Sequence, residues 1–162
     1  MRRVLITGMS GTGKTSVIEA LARAGYKAID TGWNPDRETP PPPGDPDADG
    51  PGWVWREDRI RDLLATEDAE VLFLSATVPN QSSFYGWFDH VVLLSATPEV
   101  TAQRLGSRTN NPYGKSAADL AEVLRFKSTI EPMLRNGATE EIDTDRPLDE
   151  VVARILEIAK AG

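Results

Sequence analysis

The chain of 162 residues has no cysteine and one histidine, His90. Disulfides, thiolate-zinc sites and cysteine nucleophiles are therefore excluded, as is any site built from several histidines. No apolar stretch approaches the 18 residues of a membrane-spanning helix. The run Val4–Ile6 after Arg2 and Arg3 is too short for a signal-peptide core. Positive charge is also scarce: 18 Lys and Arg stand against 25 Asp and Glu, a net charge of −7. Such a chain repels nucleic acid and anionic membrane overall, so neither is an expected partner and any basic site must be local. Hydrophobic residues at 40% and charged residues at 27% match ordinary globular usage, and the length suits one domain with a real core. The expectation is a cytoplasmic enzyme or binding protein. Nothing in the sequence marks an oligomeric state.

Short apolar runs alternate with amphipathic stretches. Arg2–Thr7, Lys27–Asp30, Val71–Leu74, His90–Leu94 and Glu140–Ile142 read as strands. Lys14–Ala24, Val54–Ala65, Pro98–Leu105, Ser116–Arg135 and Leu148–Ala161 read as helices. Strands alternating with helices predict an α/β fold with a parallel sheet. One segment breaks the pattern. Trp33–Trp53 holds seven of the twelve prolines and five carboxylates, so it can form neither a helix nor a central strand. It reads as a surface loop or as a substrate-side flap.

Gly8-Met9-Ser10-Gly11-Thr12-Gly13-Lys14-Thr15 matches G-x-x-x-x-G-K-[ST] in full, between a strand and a helix. Glycines let successive backbone N–H groups curl around phosphate oxygens, and the helix N-terminus adds a favourable dipole. Lys14 is placed to reach the β- and γ-phosphates, and the Thr15 hydroxyl to ligate Mg²⁺. Where strands end, an open parallel sheet puts its ligands. Asp30 closes the second strand and is the best acidic candidate, either to hold magnesium-bound water or to accept a proton from an attacking hydroxyl. The third strand ends Leu74-Ser75 with no acid. Arg104 and Arg108 end one helix and lead into a segment closing on Lys115, an arrangement suited to a lid over 108–116. Arg56 and Arg59, beside Trp53 and Trp55, suit an anionic or planar acceptor. Asn80 and Gln81 are placed to hydrogen-bond a polar acceptor or to cap a loop. The turn Thr144–Pro147 stands where a base could lie, or is a plain turn. His90 reads as structural.

Together the phosphate loop, Asp30, the Arg104-x-x-x-Arg108 pair with its following lid, and the Ile142-Asp143-Thr144 turn resemble the P-loop small-molecule kinases. That group includes the nucleoside monophosphate, shikimate and gluconate kinases. The Trp55-Arg56-Glu57, Asn80-Gln81 and Arg108–Lys115 stretches also resemble small bacterial AAA-family ATP-binding proteins. The resemblance implies a single domain over 1–162 with a five-stranded parallel sheet in order 2-3-1-4-5. It implies ATP and Mg²⁺ as cofactors, held by Gly8, Ser10, Gly11, Thr12, Gly13, Lys14, Thr15 and Ser16. It also implies Arg104 stacked on adenine, Arg108 as the lid arginine, and Thr144 and Pro147 beside the base. Lys14, Asp30 and Arg108 would be catalytic, and Thr15 and Asp30 would face the metal. A small phosphate acceptor would meet Asp30, Arg56, Arg59, Asn80 and Gln81. Gly32 stands where shikimate kinases carry a second acid, and Ala76-Thr77 where they carry glycines. The expected activity is phosphoryl transfer from ATP to a small hydroxyl- or phosphate-bearing molecule; the alternative is a nucleotide-hydrolysing switch or adaptor that binds a protein partner.

Overall fold

The computed structural model describes residues 1–9, 12–31, 55, 57–78, 80–107 and 116–161, apart from the side chains at 119, 122 and 126. Five strands, β1 (Arg2–Thr7), β2 (Lys27–Asp30), β3 (Val71–Ser75), β4 (His90–Ser95) and β5 (Glu140–Asp143), form one sheet. Its order is β2-β3-β1-β4-β5, and every neighbouring pair is parallel. The expected α/β class and strand order 2-3-1-4-5 are therefore both present.

The sequence explains the layering. A parallel sheet covered on both faces needs strands that are apolar throughout, and successive side chains then serve opposite faces. Val4, Ile6, Phe73, Val92 and Leu94 point to one side, where α1 (Lys14–Arg23) and α5 (Leu148–Lys160) supply Val17, Ile18, Leu21, Val151 and Ile155. Leu5, Leu72, Leu74 and Val91 point to the other, against Ile60 and Leu64 of α2 (Glu57–Ala65). Leu93 packs with Met9 and with Leu134 of α4 (Ala117–Gly137), which follows α3 (Pro98–Ser107).

Two N-terminal arginines close helix ends. Arg2 donates to the Ala159 carbonyl at 2.6 Å, and Arg3 Nε to the Leu64 carbonyl at 2.7 Å. Each carbonyl lies in a last helical turn, where no intrahelical donor remains. At the opposite edge Arg135 is hydrogen-bonded to Glu141 at 2.7 Å, joining α4 to β5. That hydrogen bond holds the Glu141 carboxyl below, and raises the Arg135 guanidinium above, their ordinary pKa values. Among the described residues, no helix is long and apolar enough to cross a membrane.

One element is additional to the helices expected from the sequence. Gln81–Trp87 is a 3-10 helix whose buried residues are Gln81 and Phe84. That three-residue spacing is the repeat of a 3-10 turn, and it carries no 3.6-residue signal to read. The proline-rich segment 33–53 and the segment 108–115 lie outside the described residues.

Candidate nucleotide and acceptor site

All five strands run the same way, so their C-terminal ends share one edge, and the order reverses direction around β1. Ligand crevices of open parallel sheets form at such a point. Immediately after Thr7 the chain turns at Gly8, with φ +154°. A Cβ there would stand 2.5 Å from the Leu94 carbonyl oxygen and 2.7 Å from Thr12 Oγ1. Only glycine fits. The buried Thr12 hydroxyl donates to the Met9 carbonyl at 2.7 Å and closes the turn from inside. Gly13, at φ +95°, caps α1 with no side-chain hydrogen bond. The first amides of α1 thus have no side-chain cap at Gly13, and such a helix start favours an anion.

Gly8→Ala places a methyl group into backbone and adds left-handed strain. It is expected to destabilise the fold by about 2–4 kcal/mol. A urea midpoint equal to that of the unsubstituted protein would contradict the geometry of this turn.

Lys14 and Thr15 open α1. The Lys14 ammonium donates to the Gly8 carbonyl, and to the Met9 carbonyl at 3.2 Å. Thr15 Oγ1 donates to Asp30 Oδ2 at 3.2 Å, and Ser75 Oγ donates to Asp30 Oδ1 at 3.0 Å. Asp30 is the last residue of β2 and lies beside Ser75 in register. Asp30 is 9% exposed. The structure thus brings Lys14, Thr15 and Asp30 to one place. Ser16 is exposed one residue further along α1.

A second group gathers beside Gly13. Arg104 of α3 donates from Nη1 to Thr144 Oγ1 at 2.7 Å and from Nη2 to the Thr144 carbonyl. Its Nη1 would stand 3.8 Å from a Cβ on Gly13. Thr144 is held in turn by the Ser95 carbonyl, through its amide at 2.8 Å and its hydroxyl at 3.0 Å. Pro147 caps α5, three residues on.

The acceptor-side residues divide. Asn80 clasps the Trp55 backbone from both sides: its Oδ1 accepts from the Trp55 amide at 2.9 Å, and its Nδ2 donates to the Trp55 carbonyl at 3.0 Å. The Trp55 indole donates to Thr31 Oγ1 at 2.8 Å and meets Phe84 edge-on. Gln81 is 2% exposed and binds Thr7, Tyr85 and the Val78 amide. Arg59 is exposed on α2. Ser10, Gly11, Arg56 and Arg108 lie outside the described residues. His90 stands at the other end of β4, between Glu140 and the Ala161 carbonyl.

Sequence reasoning passed over four hydroxyls at this edge: Thr7, Thr31, Ser75 and Thr77. The signal available was position alone, since each ends a strand or follows one within two residues.

The fold and the phosphate loop together define a P-loop α/β protein with the architecture of small-molecule kinases. A family profile described as an AAA domain matches residues 4–125, and the chain belongs to that family. A protein of Dinoroseobacter shibae called "Nucleotide-binding protein" is 30% identical over 142 residues, which cover 87% of this chain. The chain spans 44% of that relative's length. Among solved structures, a shikimate kinase from Acinetobacter baumannii in complex with shikimate superposes with a TM-score of 0.64 at 19% identity. That match covers 98% of this chain and 92% of the other. A gluconokinase from Sinorhizobium meliloti gives 0.60 at 22% identity, covering 98% and 91%. At these identities the structures establish the shared fold.

Proposed function

We propose that this chain is an ATP-dependent phosphotransferase of the cytoplasm, acting on a small hydroxyl- or phosphate-bearing molecule. The observation that carries the reading is the convergence of Lys14, Thr15 and Asp30 on one edge of the sheet, with Thr15 and Asp30 3.2 Å apart. A phosphate loop alone serves any nucleotide binder. A buried carboxylate beside it adds a group that can orient an acceptor.

On this reading each candidate residue has a role. The amides of the loop and the start of α1 bind the phosphates. Lys14 exchanges its carbonyl partners for phosphate oxygens. Arg104 and Thr144, beside Gly13, border the base, and Pro147 fixes the start of α5 behind them. On a hydroxyl acceptor, Asp30 orients the hydroxyl and takes its proton as the new O–P bond forms and the bond from the γ-phosphorus to the β-γ bridging oxygen breaks. Arg108 and Lys115, at the flanks of 108–116, add charge and exclude water. Arg56, Arg59, Asn80 and Gln81 shape the acceptor side, the last two by fixing Trp55 and the 3-10 turn.

Magnesium fits the donor set. A hydroxyl and a carboxylate oxygen stand 3.2 Å apart, both hard ligands, and Mg²⁺ characteristically takes one or two such groups together with phosphate oxygens. Thr15 and Asp30 would hold it, directly or through water. When bound it neutralises phosphate charge.

A second reading, a nucleotide-hydrolysing switch or adaptor that binds a protein partner, is consistent with a relative named for nucleotide binding alone. Turnover separates the two. ATP consumption is expected to be slow alone and at least about tenfold faster with one compound from a metabolite library, with a phosphorylated product. A basal rate that responds only to a protein partner would support the switch instead.

A further inference from the structure

We infer that Thr77 is a positioning residue of the phosphate loop, holding Gly8 in place when Lys14 turns to a nucleotide. The inference rests on the reading that this loop binds a nucleoside triphosphate.

The hydroxyl of Thr77 stands against both backbone groups of Gly8. It donates to the Gly8 carbonyl, with the Ala76 carbonyl 2.9 Å away as the other acceptor in reach, and accepts from the Gly8 amide at 3.3 Å. The Gly8 carbonyl also accepts from Lys14. Two donors occupy the two lone pairs of one carbonyl. A phosphate group would draw the ammonium away, because a charge-assisted contact outweighs one to a neutral carbonyl. Among the described residues, Thr77 then remains as the donor on Gly8. The Val78 amide donates to Gln81 Oε1 at 2.9 Å, so the Gln81 NH₂ must face the hydroxyls. It donates to Thr7 Oγ1 at 3.0 Å, and Thr7 lies 3.3 Å from Thr77 Oγ1. The Gln81 amide and the Thr7 and Thr77 hydroxyls thus stand in a row that ends at the Gly8 carbonyl. Tyr85 completes the buried end, its hydroxyl 3.0 Å from the same Gln81 nitrogen.

This arrangement makes a prediction that a general packing role does not. In the free protein, loss of the Thr77 hydroxyl leaves the Gly8 carbonyl with Lys14. In the bound protein it leaves that carbonyl with neither. The substitution therefore penalises the nucleotide-bound state selectively.

The test is titration calorimetry of Mg·ATP against the intact chain and two variants. Thr77→Val, which keeps the shape and removes the hydroxyl, is expected to bind about tenfold more weakly, the effect of one net hydrogen bond. Thr77→Ser, which keeps the hydroxyl, is expected to stay within about threefold of the unsubstituted protein. The nucleotide-free melting temperature of Thr77→Val should fall by a few degrees, because the Gly8 amide loses its acceptor in both states, whereas the affinity reports the additional loss in the bound state. Equal affinity for Thr77→Val and the unsubstituted chain overturns the inference, as does an equal loss in both variants. If Thr77→Val does not fold, Thr77→Ala against Thr77→Ser makes the same comparison. Absence of Mg·ATP binding by the unsubstituted chain is a separate result, which fails the nucleotide reading itself.

Discussion

Lys14→Ala is expected to weaken Mg·ATP binding by at least about 100-fold, roughly 2.7 kcal/mol. The ammonium sits half-buried against the Gly8 and Met9 carbonyls, so its charge is already delivered to the loop. A phosphate group replacing those carbonyls gains a full ion pair in a site screened poorly by solvent. Removing the lysine also removes the only lysine in this loop of a chain whose net charge is −7. Lys14→Arg is expected to rescue poorly, because the planar guanidinium is wider than an ammonium and cannot act as a compact point charge. The fold should survive either change. The core residues beneath α1 are Val17, Ile18 and Leu21, which Lys14 does not replace. Calorimetry for affinity and a melting curve for stability check both halves. Binding of Mg·ATP by Lys14→Ala as tight as by the parent would remove the phosphate-cradle role.

Asp30→Asn is expected to lower phosphoryl transfer by about 10²–10⁴-fold while changing nucleotide affinity by less than about fivefold. Asparagine keeps an acceptor for Ser75 or Thr15 and nearly the same volume, so the β2–β3 edge should hold. What it loses is the negative charge that orients an acceptor hydroxyl and the lone pair that takes its proton. Steady-state kinetics with the stimulating acceptor, read beside direct nucleotide titration, makes the comparison. Equal losses in turnover and in affinity would instead confine Asp30 to holding metal or structure.

Much of this arrangement is legible in the residues. Val4–Ile6, Val71–Leu74 and Val91–Leu94 are apolar throughout, which marks strands covered on both faces, and the loop motif sits between the first of them and a helix. Asp30 could be picked out because a strand ending in an acid stands at the ligand edge of a parallel sheet. Its partner Ser75 could not. Their meeting depends on the register of β2 against β3, 45 residues apart, which local pattern does not encode. Gln81 shows a related limit. An amide after a strand suits a ligand or a loop cap equally in sequence, and only burial and three hydrogen bonds reveal how it is committed. Thr77 gave less still, because a threonine between Ala76 and Val78 carries no motif. The clasp of Asn80 on Trp55 likewise joins residues 25 apart through backbone atoms, which have no sequence signature at all.

The central claim is tested most directly by a crystal structure of the chain with Mg²⁺ and a non-hydrolysable ATP analogue. The account predicts phosphates within the turn from Gly8 to Thr15, with Lys14 Nζ moved from the Gly8 and Met9 carbonyls onto phosphate oxygens. An analogue bound elsewhere, with Lys14 still on those carbonyls, would contradict it.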